Sequence, residues 1–116
     1  MKEEEIIASV LQEVLDALPP HLREKLENVE FIVQERAEGY QRFILGLYHG
    51  VPLPKRGLGY TFTLPDRIVI YAQSIRRVAP QDAEFRQKVK EVILHEIGHY
   101  FGFGEEDLAH LLGGGE

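Results

Sequence analysis

The sequence predicts an α+β fold: a small antiparallel or mixed sheet of three to four strands, with helices covering one face. Three observations predict it. Apolar residues recur at helical spacing over residues 3–18, alternate with period two from Val29, and return to helical spacing after Asp82. At 116 residues the chain has room for a single domain, 1–116, with one core.

The first helix places Ile6, Ile7, Val10, Leu11, Val14, Leu15 and Leu18 on one wide stripe with acids opposite. Glu3, Glu4 and Glu5 suit the positive end of its dipole, and Pro19-Pro20 ends it because the ring removes a donor and clashes with the preceding turn. Residues 21–27 read as a short second helical piece. Val29, Phe31 and Val33 alternate with Glu30, Ile32 and Gln34 as a strand, and Gly39 offers a turn. Phe43 to Tyr48 reads as a second strand, ended by Gly50. Three prolines and two glycines make 51–65 a loop or edge, with room for a short strand at Tyr60–Thr63. Arg67 to Ala72 is the most β-prone segment and is expected to be the edge strand along a cleft, open to pairing with an extended peptide. Pro80 and Asp82, the latter as N-cap, start a helix over about 82–101.

Composition narrows the function classes. No apolar run approaches the ~18 residues of a membrane span, and the absence of cysteine excludes disulfide scaffolds, cysteine-ligated zinc and thiol catalysis. The acidic start, Met1 to Glu5, is unlike a signal peptide, so a cytoplasmic location is expected. The net charge is −6. Residues 55–90 carry eight basic against three acidic groups, whereas the 26 residues from Glu91 carry six acids and no Lys or Arg. The acidic total argues against nucleic acid, and the basic middle reads as a solvated face.

The helix over 82–101 holds the chemistry. Its second half, Val92 to Phe101, is apolar nearly all round and yet carries His95, Glu96 and His99 inward. Buried ionisable groups are costly unless paired or bound to metal. His95-Glu96-Ile97-Gly98-His99 is the His-Glu-x-x-His pattern: imidazoles at i and i+4 reach one ion, and Glu96, rotated by ~100°, reaches a water on that ion without ligating it. Zinc suits neutral imidazoles and leaves one position for water. Gly102 marks where the helix breaks, and Glu105 follows three residues later as a third ligand, with the adjacent Glu106 and Asp107 as alternatives. This chain's composition yields the five-residue pattern by chance about 3% of the time, and the added Gly and acid lower that to roughly 0.04%.

With these residues the chain resembles the small bacterial zincin-like metallopeptidases, or minimal zincins. The resemblance extends to Gly46-Leu47-Tyr48-His49-Gly50-Val51-Pro52, to Leu64-Pro65-Asp66-Arg67-Ile68 and to the block from Val92 to Leu108. It implies a minimal zincin fold: an N-terminal helix, a small twisted sheet and a central active-site helix. It also implies Zn2+ held by His95, His99 and the acid at 105, with Glu96 as general base. The methionine turn of larger metzincins has no counterpart, since Met1 is the only methionine.

The expected function is therefore a zinc metallopeptidase acting on a peptide or unfolded-protein substrate, with no nucleic acid and no membrane partner. A metal-binding scaffold that engages a protein without turnover, and a hydrolase of a non-peptide amide, are the alternatives. Plain structural readings stand beside the chemical ones. His95 and His99 as a hydrogen-bonded core pair is one, and acids 105–107 as the charged start of a last helix is another. Tyr48, His49, Tyr71 and Tyr100 read as packing residues or as oxyanion donors. His21 and His110 read as surface residues, and Arg76-Arg77 as a solvated corner.

Overall fold

The computed structural model describes residues 2–26, 28–39, 43–56, 65–104 and 106. Within them the chain forms α1 (Lys2–Ala17), α2 (Pro20–Arg23), β1 (Val29–Gln34), β2 (Gly46–His49), β3 (Asp66–Tyr71), α3 (Ala72–Val78) and α4 (Asp82–Tyr100). A 3-10 turn, Leu53–Lys55, lies in the loop between β2 and β3. The fold is α+β, as expected. The strand anticipated at Tyr60–Thr63 lies outside the described residues.

The sheet is mixed and its strand order is β1-β3-β2. β1 runs parallel to β3, with Phe31 opposite Ile68 and Val33 opposite Ile70; β2 runs antiparallel to β3, with Gly46 opposite Ile70 and Tyr48 opposite Ile68. β3 is thus the central strand, which corrects the expectation of an edge at Arg67–Ala72. Its composition is the physical reason. Ile68, Val69, Ile70 and Tyr71 are all buried, so both faces of β3 are covered, as suits a strand with neighbours on either side. Its backbone is paired on both sides and is not available to an extended peptide. Ala72 belongs instead to α3, a helix the sequence reading missed. Among the described residues the edge beside α4 is β2.

Each sheet face meets different partners. Ile68 and Ile70 join Ile7, Val10 and Val14 of α1, Ile75 of α3 and Phe85, Val89 and Ile93 of α4 in the main core. Val69 and Tyr71 point the other way, onto Ala37, Ile32, Ile44 and Leu47. Burial alone pushes the Tyr71 phenol above its ordinary value.

α1 presents the anticipated stripe: Ile7, Val10 and Val14 are buried, and Ile6, Leu11 and Leu15 pack against them. Arg76 of α3 bonds Glu3 of α1 at 3.2 Å, and Arg86 of α4 pairs with Glu13 of α1. The N-cap of α4 is Gln81, whose N–H donates to Glu84 Oε1 at 3.4 Å. Asp82, expected to be the cap, is drawn off by Lys2 at 2.7 Å and Arg76 at 3.0 Å. Those two bonds hold the Asp82 carboxyl below its ordinary range, the Lys2 bond contributing most. No helix among the described residues is long and apolar enough to cross a membrane.

Candidate active site

The last turns of α4 carry the candidate residues. Ile93, Ile97 and Tyr100 face the core, which leaves His95 and His99 partly exposed on the remaining stripe, one turn apart. Their rings lie edge to face, with centroids 4.8 Å apart and planes at 84°. Glu96 sits beside them and is only 7% exposed.

The helix stops where the sequence said it would. Gly102 adopts φ +97°, its N–H donates to the His99 carbonyl at 3.0 Å, and the Phe103 N–H donates to the Gly98 carbonyl at 3.0 Å. These two bonds form a Schellman motif, which satisfies carbonyls left open at the helix end. The same turn orients a candidate ligand. It brings the Phe103 carbonyl to 3.0 Å from His99 Nδ1. A carbonyl only accepts, so Nδ1 carries the proton and the neutral ring has its lone pair on Nε2, an arrangement typical of metal-ligating histidines.

A cavity of about 410 Å³ opens beside His95 and Glu96. Residues Phe43 to Gly46 form one wall; Lys88, Glu91, Val92, His95 and Glu96 of α4 form the other. Gly46 allows the two walls to approach. A Cβ there would lie 2.6 Å from Val92 Cγ1 and 3.3 Å from Glu96 Cγ.

His95, Glu96 and His99 are therefore brought together on one face. Glu105 and Asp107 lie outside the described residues, and Glu106 is exposed. Among the described residues no three His, Cys, Asp or Glu side chains are grouped closely enough to hold an ion. Zinc nevertheless suits the donors present, two imidazoles at helical spacing with one tautomer set by a backbone carbonyl.

A second cluster braces the site, and sequence reasoning missed most of it. Asp66, 4% exposed at the start of β3, accepts from the Tyr48 hydroxyl at 2.6 Å and from Arg56 Nη2 at 2.5 Å. Burial, and then the Asp66 carboxylate, push the Tyr48 phenol well above its ordinary value of 10.0. Arg56 also donates to the Val51 carbonyl at 2.9 Å and lies 5.2 Å from the centre of the Tyr100 ring. Tyr100 donates to the Lys25 carbonyl at 2.5 Å and meets Tyr48 edge to face. Both hydroxyls thus bond within the fold, and Tyr71 lies on the far sheet face, which favours packing roles for all three. His21 and His49 are exposed, and His110 lies outside the described residues. A glycine marks the brace: a Cβ on Gly50 would fall 2.4 Å from the Asp66 carboxyl carbon. Arg56, within a proline-rich loop, left no signal in the sequence.

Two curated proteins named Endoribonuclease YbeY are similar to the chain. The protein from Psychrobacter cryohalolentis is 29% identical over 103 residues, covering 89% of this chain and 66% of that protein. The protein from Psychrobacter arcticus is 27% identical over 95 residues, covering 82% of this chain and 46% of that protein. The chain thus spans less than two thirds of the length of either relative. Their name is that of enzymes cutting RNA, which overturns the expectation of a peptide or unfolded-protein substrate with no nucleic acid. That expectation rested on the chain-wide charge, which reports a sum and not where the charges lie, and on a motif chemistry that does not distinguish amide from phosphodiester. The zincin-like metallopeptidase family model matches residues 26–114, the stretch that runs from the sheet through both histidines. With the helices and the mixed sheet of the described residues and the His-Glu-x-x-His helix end, the match identifies the chain as a member of the zincin-like metallopeptidase family.

Proposed function

We propose that residues 1–116 form a single-domain, zinc-dependent hydrolase that cleaves RNA. The observation that carries the hydrolytic part is the placement of His95 and Glu96 in the wall of a cavity, with the His99 ring against His95 one turn on. The two RNA-cutting relatives support the substrate class. His95 and His99 hold the metal, joined by Glu105, with Glu106 and Asp107 as the alternatives for that third place. Zinc, when bound, lowers the pKa of water towards ~7 and offsets charge on a phosphate.

The remaining steps belong to the chain. Glu96 accepts the proton of the attacking water and returns it to the ribose oxygen that leaves as the P–O bond breaks. Burial beside Gly46 restricts the Glu96 side chain, so little ordering is left for the reaction itself. The Phe103 carbonyl keeps the His99 ring turned.

The test compares wild type with Glu96→Gln, both loaded with zinc, on an unstructured RNA. The variant is expected to keep its fold and its metal and to lose at least ~10²-fold in cleavage rate. Cleavage of casein by the wild type with no cleavage of RNA overturns the substrate class. A Gln variant that keeps half the wild-type rate overturns the role of Glu96.

A further inference from the structure

The cleft has an aromatic residue at its mouth that the core does not use. Ahead of β2, side chains leave the backbone in different directions. Ile44 goes to the small cluster with Val69 and Tyr71, and Leu45 goes to the main core. Phe43 goes to neither and is 62% exposed, yet it lines the same cavity as His95 and Glu96. The Arg77 guanidinium, from the last turn of α3, lies 5.3 Å from its ring centre. A cation held on an aromatic ring orients that ring and places positive charge beside it. Across the cleft Lys88 contributes a second cation, 3.0 Å from Glu91 in an exposed pair of the weak kind that a stronger anion displaces.

We propose that Phe43, backed by Arg77, is a stacking platform for one base of single-stranded RNA, with Arg77 and Lys88 meeting the phosphates on either side. The inference rests on the RNA reading of the active site. A flat apolar ring flanked by cations suits such a chain, because every base has a π-face and every linkage carries one negative charge. It also gives part of the basic middle of the sequence a place: Lys88 lines the cleft, and Arg77 lies against Phe43 beside it.

The test is equilibrium binding of fluorescein-labelled decaadenylate RNA to the zinc-loaded full chain carrying Glu96→Gln, which keeps the RNA intact during measurement. Phe43→Leu retains apolar bulk without the ring and is expected to weaken binding about 5- to 150-fold with an unchanged salt dependence. Phe43→Tyr restores the ring and the affinity. Arg77→Gln and Lys88→Gln are each expected to lower the slope of log K against log salt by about 0.7, the value for one phosphate on a single strand. Binding that is equal in the Phe43→Leu and parent proteins overturns the platform while leaving the RNA reading in place. A parent protein that binds no RNA overturns both. Zinc content and thermal midpoint, read on every variant, confirm that the comparison is made between folded, loaded proteins.

Discussion

Gly102→Ala tests the link between the helix stop and the metal site. An L-residue at φ +97° costs about 1–3 kcal/mol, since its Cβ crowds the neighbouring carbonyl. The new Cβ would also lie 2.6 Å from Pro54 Cγ and 2.9 Å from its Cδ. Pro54 belongs to the 3-10 turn that leads into Arg56, itself tied to buried Asp66, so it has little room to retreat. Overpacking of that kind costs about 1–3 kcal/mol. Together the two effects amount to about 2–6 kcal/mol, a large share of the ~5–15 kcal/mol that holds a typical domain folded. If the turn unwinds to relieve the strain, the Phe103 carbonyl leaves His99 Nδ1 and the ring loses its fixed tautomer. Loss of such a supporting bond typically costs ~10–100-fold in metal affinity. Urea denaturation of the metal-free protein and zinc titration against a competing chelator read the two effects separately. The double variant Pro54→Ala/Gly102→Ala removes the steric part and is expected to recover about half of the lost stability, leaving the backbone cost. A single variant with unchanged urea midpoint and unchanged zinc affinity refutes this account of the turn.

Further outcomes follow from the same geometry. Purified protein is expected to bind one zinc per chain, with His95→Ala and His99→Ala each abolishing stoichiometric binding in elemental analysis. Glu105→Ala is expected to weaken zinc binding more than ~10-fold and Glu106→Ala to change it little, whereas release of zinc by Asp107→Ala makes that residue the ligand. Gly46→Ala is expected to cost about 1–3 kcal/mol by driving a Cβ against Val92 and to slow cleavage by displacing Glu96, as urea midpoints and initial rates will show. Folded Tyr48 keeps its proton at pH values where the unfolded phenol, with its ordinary value of 10.0, has lost it. Its contribution is therefore complete below pH 10 and declines as pH rises beyond it, Tyr71 adding in the same direction. Tyr48→Phe is expected to flatten that decline when denaturation is followed at increasing alkaline pH.

What the sequence determined by itself was local. The stripe of α1, the alternation of β1, the long α4 and its stop at Gly102 each rest on contacts within a turn or two, which a short window of residues encodes. His95, Glu96 and His99 were legible for the same reason, since a helix alone places i and i+4 on one face. The shared face of the His-Glu-x-x-His residues was therefore readable before any tertiary contact was known. The neighbour relations were not. That Asp66–Tyr71 is central and Gly46–His49 is the edge among the described strands depends on which strands approach from afar, and a β-prone segment looks alike in either place. The grouping of charge was equally hidden, because net charge sums over the chain, while Arg77 lies against Phe43 and Lys88 lines the same cavity as Phe43 only once α3, α4 and the approach to β2 are folded together. The brace of Tyr48, Arg56 and Asp66 spans 18 positions and three segments, with no periodicity to announce it. Asp66 and Arg56 became partners only when the sheet buried one and the loop delivered the other, and there the cost of an isolated buried charge decides the arrangement.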